Sequence, residues 1–86
     1  MFSSNKELFE FINSLIKKLD SIGETQWSIA FSDAIHISFM PGELLGAIRF
    51  TLRKFQKTKI PARLDIEKEI SGAIDSLDKA LGPNNR

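Results

Sequence analysis

The chain has 86 residues, with twelve Lys and Arg, eleven Asp and Glu, and no cysteine. This length fits one domain without disulfides or thiolate metal sites, so its stability must come from packing or from a partner chain. The formal net charge of +1 by itself favours neither nucleic acid nor a membrane as a partner. No apolar run approaches the roughly 20 residues of a membrane span. The polar N-terminus shows no secretory signal, which predicts a cytoplasmic protein.

The first predicted helix lies near residues 5–22. Ser4 and Glu7 fit a capping box at its start, in which each side chain accepts a hydrogen bond from a backbone N–H. Apolar residues then recur at steps of three and four from Leu8 to Ile22 and fill one broad stripe of the helix. Gly23 follows and can adopt the left-handed conformation that ends a helix.

Two further helices, near residues 25–39 and 41–57, are predicted to form a hairpin around Pro41 and Gly42. Helix two has an apolar stripe that begins at Trp27 and contains small alanines, and it carries more apolar residues on its back. Helix three has one apolar stripe, which ends at Phe55. Because helix two is apolar on two sides, we expect it to be the central helix.

Residues 58–64 are predicted to form a connection with extended backbone before Pro61. A fourth helix, near residues 65–81, should begin at Asp65 as its N-cap and lie on the outside, and residues 82–86 should be frayed. These signals predict an all-α fold. Residues 1–86 would form a single helical domain, a compact antiparallel bundle of about four helices.

The residues with catalytic or metal-binding potential are few. His36 is the one histidine, and pairing it with Ser32 at helical spacing produces nothing that resembles an activated nucleophile. Asp33 and His36 could share a ligand face, but the bundles that bind two metal ions need a second carboxylate–histidine pair. The sequence therefore predicts neither an enzyme nor a bound metal or cofactor.

Charge is distributed unevenly along the chain. Residues 49–63 contain six basic residues and no acid, whereas residues 20–43 contain four acids and no Lys or Arg. Arg49, Arg53 and Lys57 are four residues apart and would form a basic strip on helix three. The candidate partner-binding residues are Ile29, Asp33, His36, Ile37, Phe50, Arg53, Lys54 and Lys57. The alternatives are a solvated end of helix three, burial of the back of helix two by helix one or four, and packing of Phe50 under helix four or in a dimer.

Three segments carry a family resemblance: LDSIGETQW at 19–27, PGELLG at 41–46 and IDSLD at 74–78. Their order resembles an uncharacterised group of short bacterial helical proteins. Such chains also look like the small immunity proteins encoded beside bacterial toxins, including those of contact-dependent growth inhibition. The resemblance implies a protein without enzymatic activity that binds one toxin domain, a nuclease or similar, through a charged patch with an apolar centre. It carries over no individual site residue.

The prediction is therefore a non-catalytic cytoplasmic protein that acts as an immunity or antitoxin-like inhibitor of a toxin domain. One alternative is a small nucleic-acid-binding regulator that uses Arg49, Arg53, Lys54 and Lys57. Another is a structural homodimer with Ile29, Ile37 or Phe50 at a twofold interface.

Overall fold

Five helices make up the fold in the computed structural model, which describes residues 5–37 and 40–82. They are α1 (Asn5–Ser21), α2 (Thr25–Ile35), α3 (Pro41–Gln56), α4 (Ile60–Arg63) and α5 (Glu67–Leu81). No strand occurs in the described ranges, so the predicted all-α fold is confirmed. The Cα radius of gyration is 12.0 Å, which matches the value of about 12 Å expected for a compact chain of this length.

Side-chain contacts fix the relative direction of two helix pairs. The start of α2 meets the end of α3, where the rings of Trp27 and Phe55 have centroids 5.2 Å apart. Arg49 contacts Gly82 after the end of α5, whereas Gln56, further along α3, contacts Ser71 near the start of α5. Both pairs therefore run antiparallel, as the predicted bundle requires. The end of α1 meets the start of α2, where Ser28 hydrogen-bonds Asp20.

α3 is the helix with the most neighbours, since it packs against α2, α4 and α5, whereas α2 packs against α1 and α3. The prediction that helix two is central was therefore wrong. No described helix covers its back, and its buried side supplies Phe31 and Ala34 to the core. The core otherwise consists of aliphatic residues from the other helices and Phe55.

α1 follows the prediction as far as Ser21, whereas Ile22, the last residue of the predicted stripe, lies beyond its end and is exposed. Its apolar stripe is buried at Leu8, Ile12, Leu15 and Leu19. Gly23 has a φ of 82°, as predicted for the residue that ends the helix. The expected capping residue Ser4 lies outside the described residues.

α2 ends at Ile35, four residues before the predicted end. His36 is its C-cap, and its backbone N–H donates to the carbonyl of Asp33. Pro41 prevents helix two from running straight into helix three, because a proline disfavours helical backbone in the residue before it. Met40 accordingly has φ −82° and ψ 120°. Residues 38 and 39 of the predicted helix lie outside the described residues.

The predicted connection at residues 58–64 contains the short helix α4, which the sequence analysis missed. Ile60 is the first residue of this helix, so the expected extended backbone before Pro61 was wrong, and Ile60 and Pro61 are both buried. A proline in the first turn of a helix loses no hydrogen bond, because those N–H groups have no intrahelical partner.

Asp65 is not the N-cap of the last helix, contrary to prediction. It has a φ of 57° and lies between α4 and α5, whose N-cap is Ile66. The left-handed conformation is tolerated by aspartate better than by most residues. It allows the chain to turn so that Ile66 is buried. In this turn Ile66 donates its N–H to the carbonyl of Pro61 at 2.9 Å.

The longest helix has 17 residues. Across the described ranges, none of the helices combines the length and apolar character required to cross a membrane.

Candidate protein-binding surface

The outer side of the α2–α3 hairpin exposes large apolar side chains. Ile29 on α2 is 55% exposed and Phe50 on α3 is 63% exposed. Both positions lie about half a helical turn from the buried stripes of their own helices, so both side chains point away from the core. We call the surface formed by Ile29, Phe50 and the residues between them the hairpin face. At the corner of the hairpin, Ile37 and Met40 are 64% and 62% exposed.

These exposures correct one expectation. The alternative that helix one or four buries Ile29, Asp33, His36 and Ile37 is wrong, because all four are exposed. The physical reason is that α1 packs against the opposite flank of α2, where Ser28 is buried. Phe50 likewise does not pack under the last helix.

A groove of about 240 Å³ lies between α2 and α3 on the hairpin face. Its floor consists of the half-buried residues Trp27, Ala30 and Thr51, and its rim consists of the exposed residues Gln26, Phe50 and Lys54. We call this cavity the α2–α3 groove.

The floor of the α2–α3 groove is held by the core. Trp27 packs against Phe31 and Phe55, with ring centroids 6.3 Å and 5.2 Å away. Phe31 and Phe55 meet edge to face at 89°, which is a favoured aromatic geometry. The hydroxyl of Thr51 donates to the carbonyl of Ala47 at 2.9 Å. The floor is therefore rigid, and its hydroxyl is already hydrogen-bonded.

Lys54 shapes one rim of the groove. Its Nζ lies 4.9 Å from the centroid of the Phe50 ring, within the range of a cation–π contact. Lys57 lies nearly one turn further along the same helix surface and is also exposed. Within the described part of the chain, neither lysine forms an ion pair. The α3 side of the hairpin face thus carries positive charge that the fold itself does not neutralise.

The predicted basic strip of helix three is interrupted by Arg49. Its side chain is only 5% exposed, and Nη1 donates to Asp78 Oδ1 at 2.8 Å and to the carbonyl of Gly82 at 2.7 Å. Arg53 reaches the same oxygen of Asp78 from the surface, with Nη2 at 2.7 Å. Both arginines therefore face α5, and of the four residues proposed for nucleic acid, Lys54 and Lys57 remain without an ion pair.

His36 and Asp33 lie at the end of α2. Nδ1 of His36 is 2.7 Å from the backbone carbonyl of Ser32, so the ring nitrogen donates to the main chain rather than accepting from the serine hydroxyl. No group of three or more His, Asp or Glu side chains in the described ranges is placed to hold a metal ion.

The structure therefore places two of the eight predicted residues, Phe50 and Lys54, at the rim of one groove. Ile29 is exposed on the same hairpin, next in sequence to the lining residue Ala30. Lys57 and Asp33 extend this surface by about one turn on either side. Arg53 lies toward α5, and His36 and Ile37 lie at the corner of the hairpin.

The sequence analysis missed the other lining residues of the groove. Trp27 and Ala30 were assigned to the core stripe of helix two, and Gln26 and Thr51 were not singled out. The sequence signal that could have indicated the groove was the small side chain of Ala30, three residues after the large Trp27. Ala34 is buried in the core, but at Ala30 the small side chain leaves a groove.

Comparison of the chain with protein-family models, with curated protein sequences and with solved structures gave no match. The function must therefore be argued from the hairpin face.

Proposed function

We propose that this chain is a non-catalytic protein-binding protein that inhibits its partner, in the manner of an immunity or antitoxin protein of the bacterial cytoplasm. The partner would be a toxin domain, bound through the hairpin face. The observation that carries the proposal is the α2–α3 groove with the exposed ring of Phe50 at its rim, on a hairpin that also exposes Ile29.

Exposed large apolar residues grouped around a concavity are typical of protein interfaces. An interface also concentrates its binding free energy in a few central residues, often aromatic, surrounded by polar residues that exclude water. The hairpin face has this composition. Phe50 is the exposed aromatic residue, and Asp33, Lys54 and Lys57 supply charges of both signs at the periphery.

Inhibition would require only that the bound chain covers a functional site of the toxin domain. A face that buries Ile29 and Phe50 against a toxin domain blocks whatever site lies beneath it, so no group of the inhibitor needs to react. This mechanism requires a face that holds its shape before binding, because ordering a loose surface would reduce the affinity. The packing of Trp27 against Phe31 and Phe55 supplies that rigidity.

The test is isothermal titration of the purified chain against the toxin domain encoded by the neighbouring gene. We expect submicromolar binding, a loss of toxin activity in the complex, and a decrease in affinity of at least about tenfold for Phe50→Ala, as for a central interface residue. Ile22→Ala is the matched control, because Ile22 is another exposed apolar side chain but lies beyond the end of α1.

Two outcomes would contradict the proposal. The first is no binding at micromolar concentrations to a neighbouring product that is a toxin. The second is a stable homodimer in sedimentation that Phe50→Ala dissociates, which would assign the hairpin face to a twofold interface between copies of the chain.

A further inference from the structure

The α2–α3 groove has the size and lining of a site for one aromatic side chain. Apolar cavities of about 150 Å³ hold a benzene ring, and this groove has a volume of about 240 Å³. Its floor presents the indole of Trp27 and the small side chain of Ala30, and the ring of Phe50 stands at the rim. An inserted ring would thus meet aromatic neighbours on two sides, which favours offset or edge-to-face contacts.

The floor of the groove offers little to an anion. The hydroxyl of Thr51 donates its proton to a backbone carbonyl, so it can accept a hydrogen bond but has no proton to give to a carboxylate. A carboxylate of the occupant must therefore lie at the rim, because burying it without partners is costly.

Positive charge dominates the rim on the α3 side. Lys54 lines the groove, Lys57 follows on the same surface, and residues 49–63 contain no acid that could neutralise them. Asp78, the acid that reaches this helix from α5, is bound by Arg49 and Arg53. The charge at the rim therefore favours an occupant that carries a carboxylate beside its ring.

The described residues of a second copy of this chain do not offer an exposed ring beside a carboxylate. Among the described residues, Phe50 is the exposed aromatic side chain, and its helical neighbours are Arg53, Lys54 and Lys57. Insertion of Phe50 into the groove of another copy would bring lysine against lysine, and like charges at short range oppose association.

We propose that the α2–α3 groove binds one aromatic side chain of the partner protein, with an acidic residue beside that ring paired with Lys54. This inference rests on the proposed function, and it specifies the residues by which the partner is recognised. An aromatic residue flanked by Asp or Glu is the element to look for on the surface of a candidate toxin domain.

The groove can be tested without the partner by two small probes that share a phenyl ring, 4-phenylbutyrate and 4-phenylbutylamine. Trp27 is the one tryptophan of the chain and lines the groove, so its fluorescence reports occupancy. Amide chemical shifts in ¹⁵N spectra then locate the probe. We expect saturable binding of the carboxylate and weaker binding of the amine by about two- to fivefold, as for an exposed ion pair.

Two variants, each with a matched control, test separately how the ring and the charge of the probe contribute to binding. Ala30→Leu fills the floor and should abolish binding of both probes, whereas Ala80→Leu, on an exposed position of α5, should not. Lys54→Gln should make the two probes bind equally, whereas Lys79→Gln on α5 should preserve the preference for the carboxylate. Equal binding of both probes to the unmodified chain would overturn the proposal, as would undiminished binding to Ala30→Leu.

Titration of the same variants with the partner distinguishes the two proposals. If Phe50→Ala weakens the complex but Ala30→Leu does not, the hairpin face is the interface and the groove inference is overturned. If the probes behave as expected but neither variant affects binding to the toxin domain, the proposed use of the hairpin face fails. The assignment of the occupant to that partner then fails with it.

Discussion

Replacing Asp78 with alanine should strongly destabilise the fold, because it removes the anion that compensates a buried cation. Arg49 is 4% exposed, and its guanidinium donates to Asp78 Oδ1 and to the carbonyl of Gly82. In Asp78→Ala the guanidinium stays inside with one partner instead of two. Arg53 lies at the surface, so water would replace Asp78 as its partner with little loss of stability.

The size of the effect follows from the burial of the two groups. Removing one partner of a fully buried ion pair costs about 3–5 kcal/mol. Here the side chain of Asp78 is 28% exposed, and Arg49 keeps its hydrogen bond to Gly82. We therefore expect a loss of about 2–3 kcal/mol in the free energy of unfolding. For a domain of this length that loss corresponds to a decrease in Tm of roughly 10–20 °C.

Urea denaturation followed by circular dichroism at the helix band measures this loss. Asp75→Ala is the matched control, because Asp75 is an exposed carboxylate on the same helix, and its replacement should change the stability by less than about 0.5 kcal/mol. The double variant Arg49→Met with Asp78→Ala should recover most of the loss, since it removes the uncompensated charge. The reasoning is refuted if Asp78→Ala is no less stable than Asp75→Ala, or if the double variant is less stable than Asp78→Ala.

Three further predictions concern stability and use the same denaturation assay. Gly23→Ala should lower the free energy of unfolding by about 1 kcal/mol, because Gly23 has a φ of 82°. Gly72→Ala, inside α5 with open space around the added methyl, should raise it by about 0.5–1 kcal/mol. Equal effects of the two substitutions would contradict the assignment of backbone strain to position 23. Ser28→Ala should cost about 1 kcal/mol, since the buried hydroxyl donates to Asp20 at 2.6 Å, and an unchanged midpoint would show that this bond contributes nothing. Phe50→Ala should alter the stability by less than about 0.5 kcal/mol because the ring is mostly exposed; a larger loss would mean that Phe50 has a structural role.

Much of the helical structure could be predicted because it depends on residues close together in the sequence. The spacing of apolar residues in α1 and α5 defines one buried stripe on each helix. Gly23 and Pro41 end or begin helices through their own backbone preferences, and both act as predicted. These features need no knowledge of the rest of the chain.

The start of the last helix shows where local preference fails. Aspartate is a residue type that favours the N-cap position, yet Asp65 adopts the left-handed backbone conformation in the turn between α4 and α5. Burial of Ile60, Pro61 and Ile66 against the core accompanies this arrangement. A capping hydrogen bond contributes about 1 kcal/mol, and burying one large aliphatic side chain contributes about 1.5–3 kcal/mol. Tertiary burial therefore outweighs the cap.

The candidate site likewise has features that the local sequence determines and features that only the packing of the helices determines. The sequence by itself determined that the α2–α3 hairpin carries surplus apolar residues and that Phe50 stands among basic residues. Tertiary structure alone decided that α1 and α5 leave the outer side of this hairpin uncovered, so that Ile29 and Phe50 are exposed and a groove lies beside Phe50. It also decided that Arg49 is buried, because its partner Asp78 lies 29 positions away in the sequence. Helical spacing places a side chain on a face of its own helix, but the helices that pack around it determine what that face contacts.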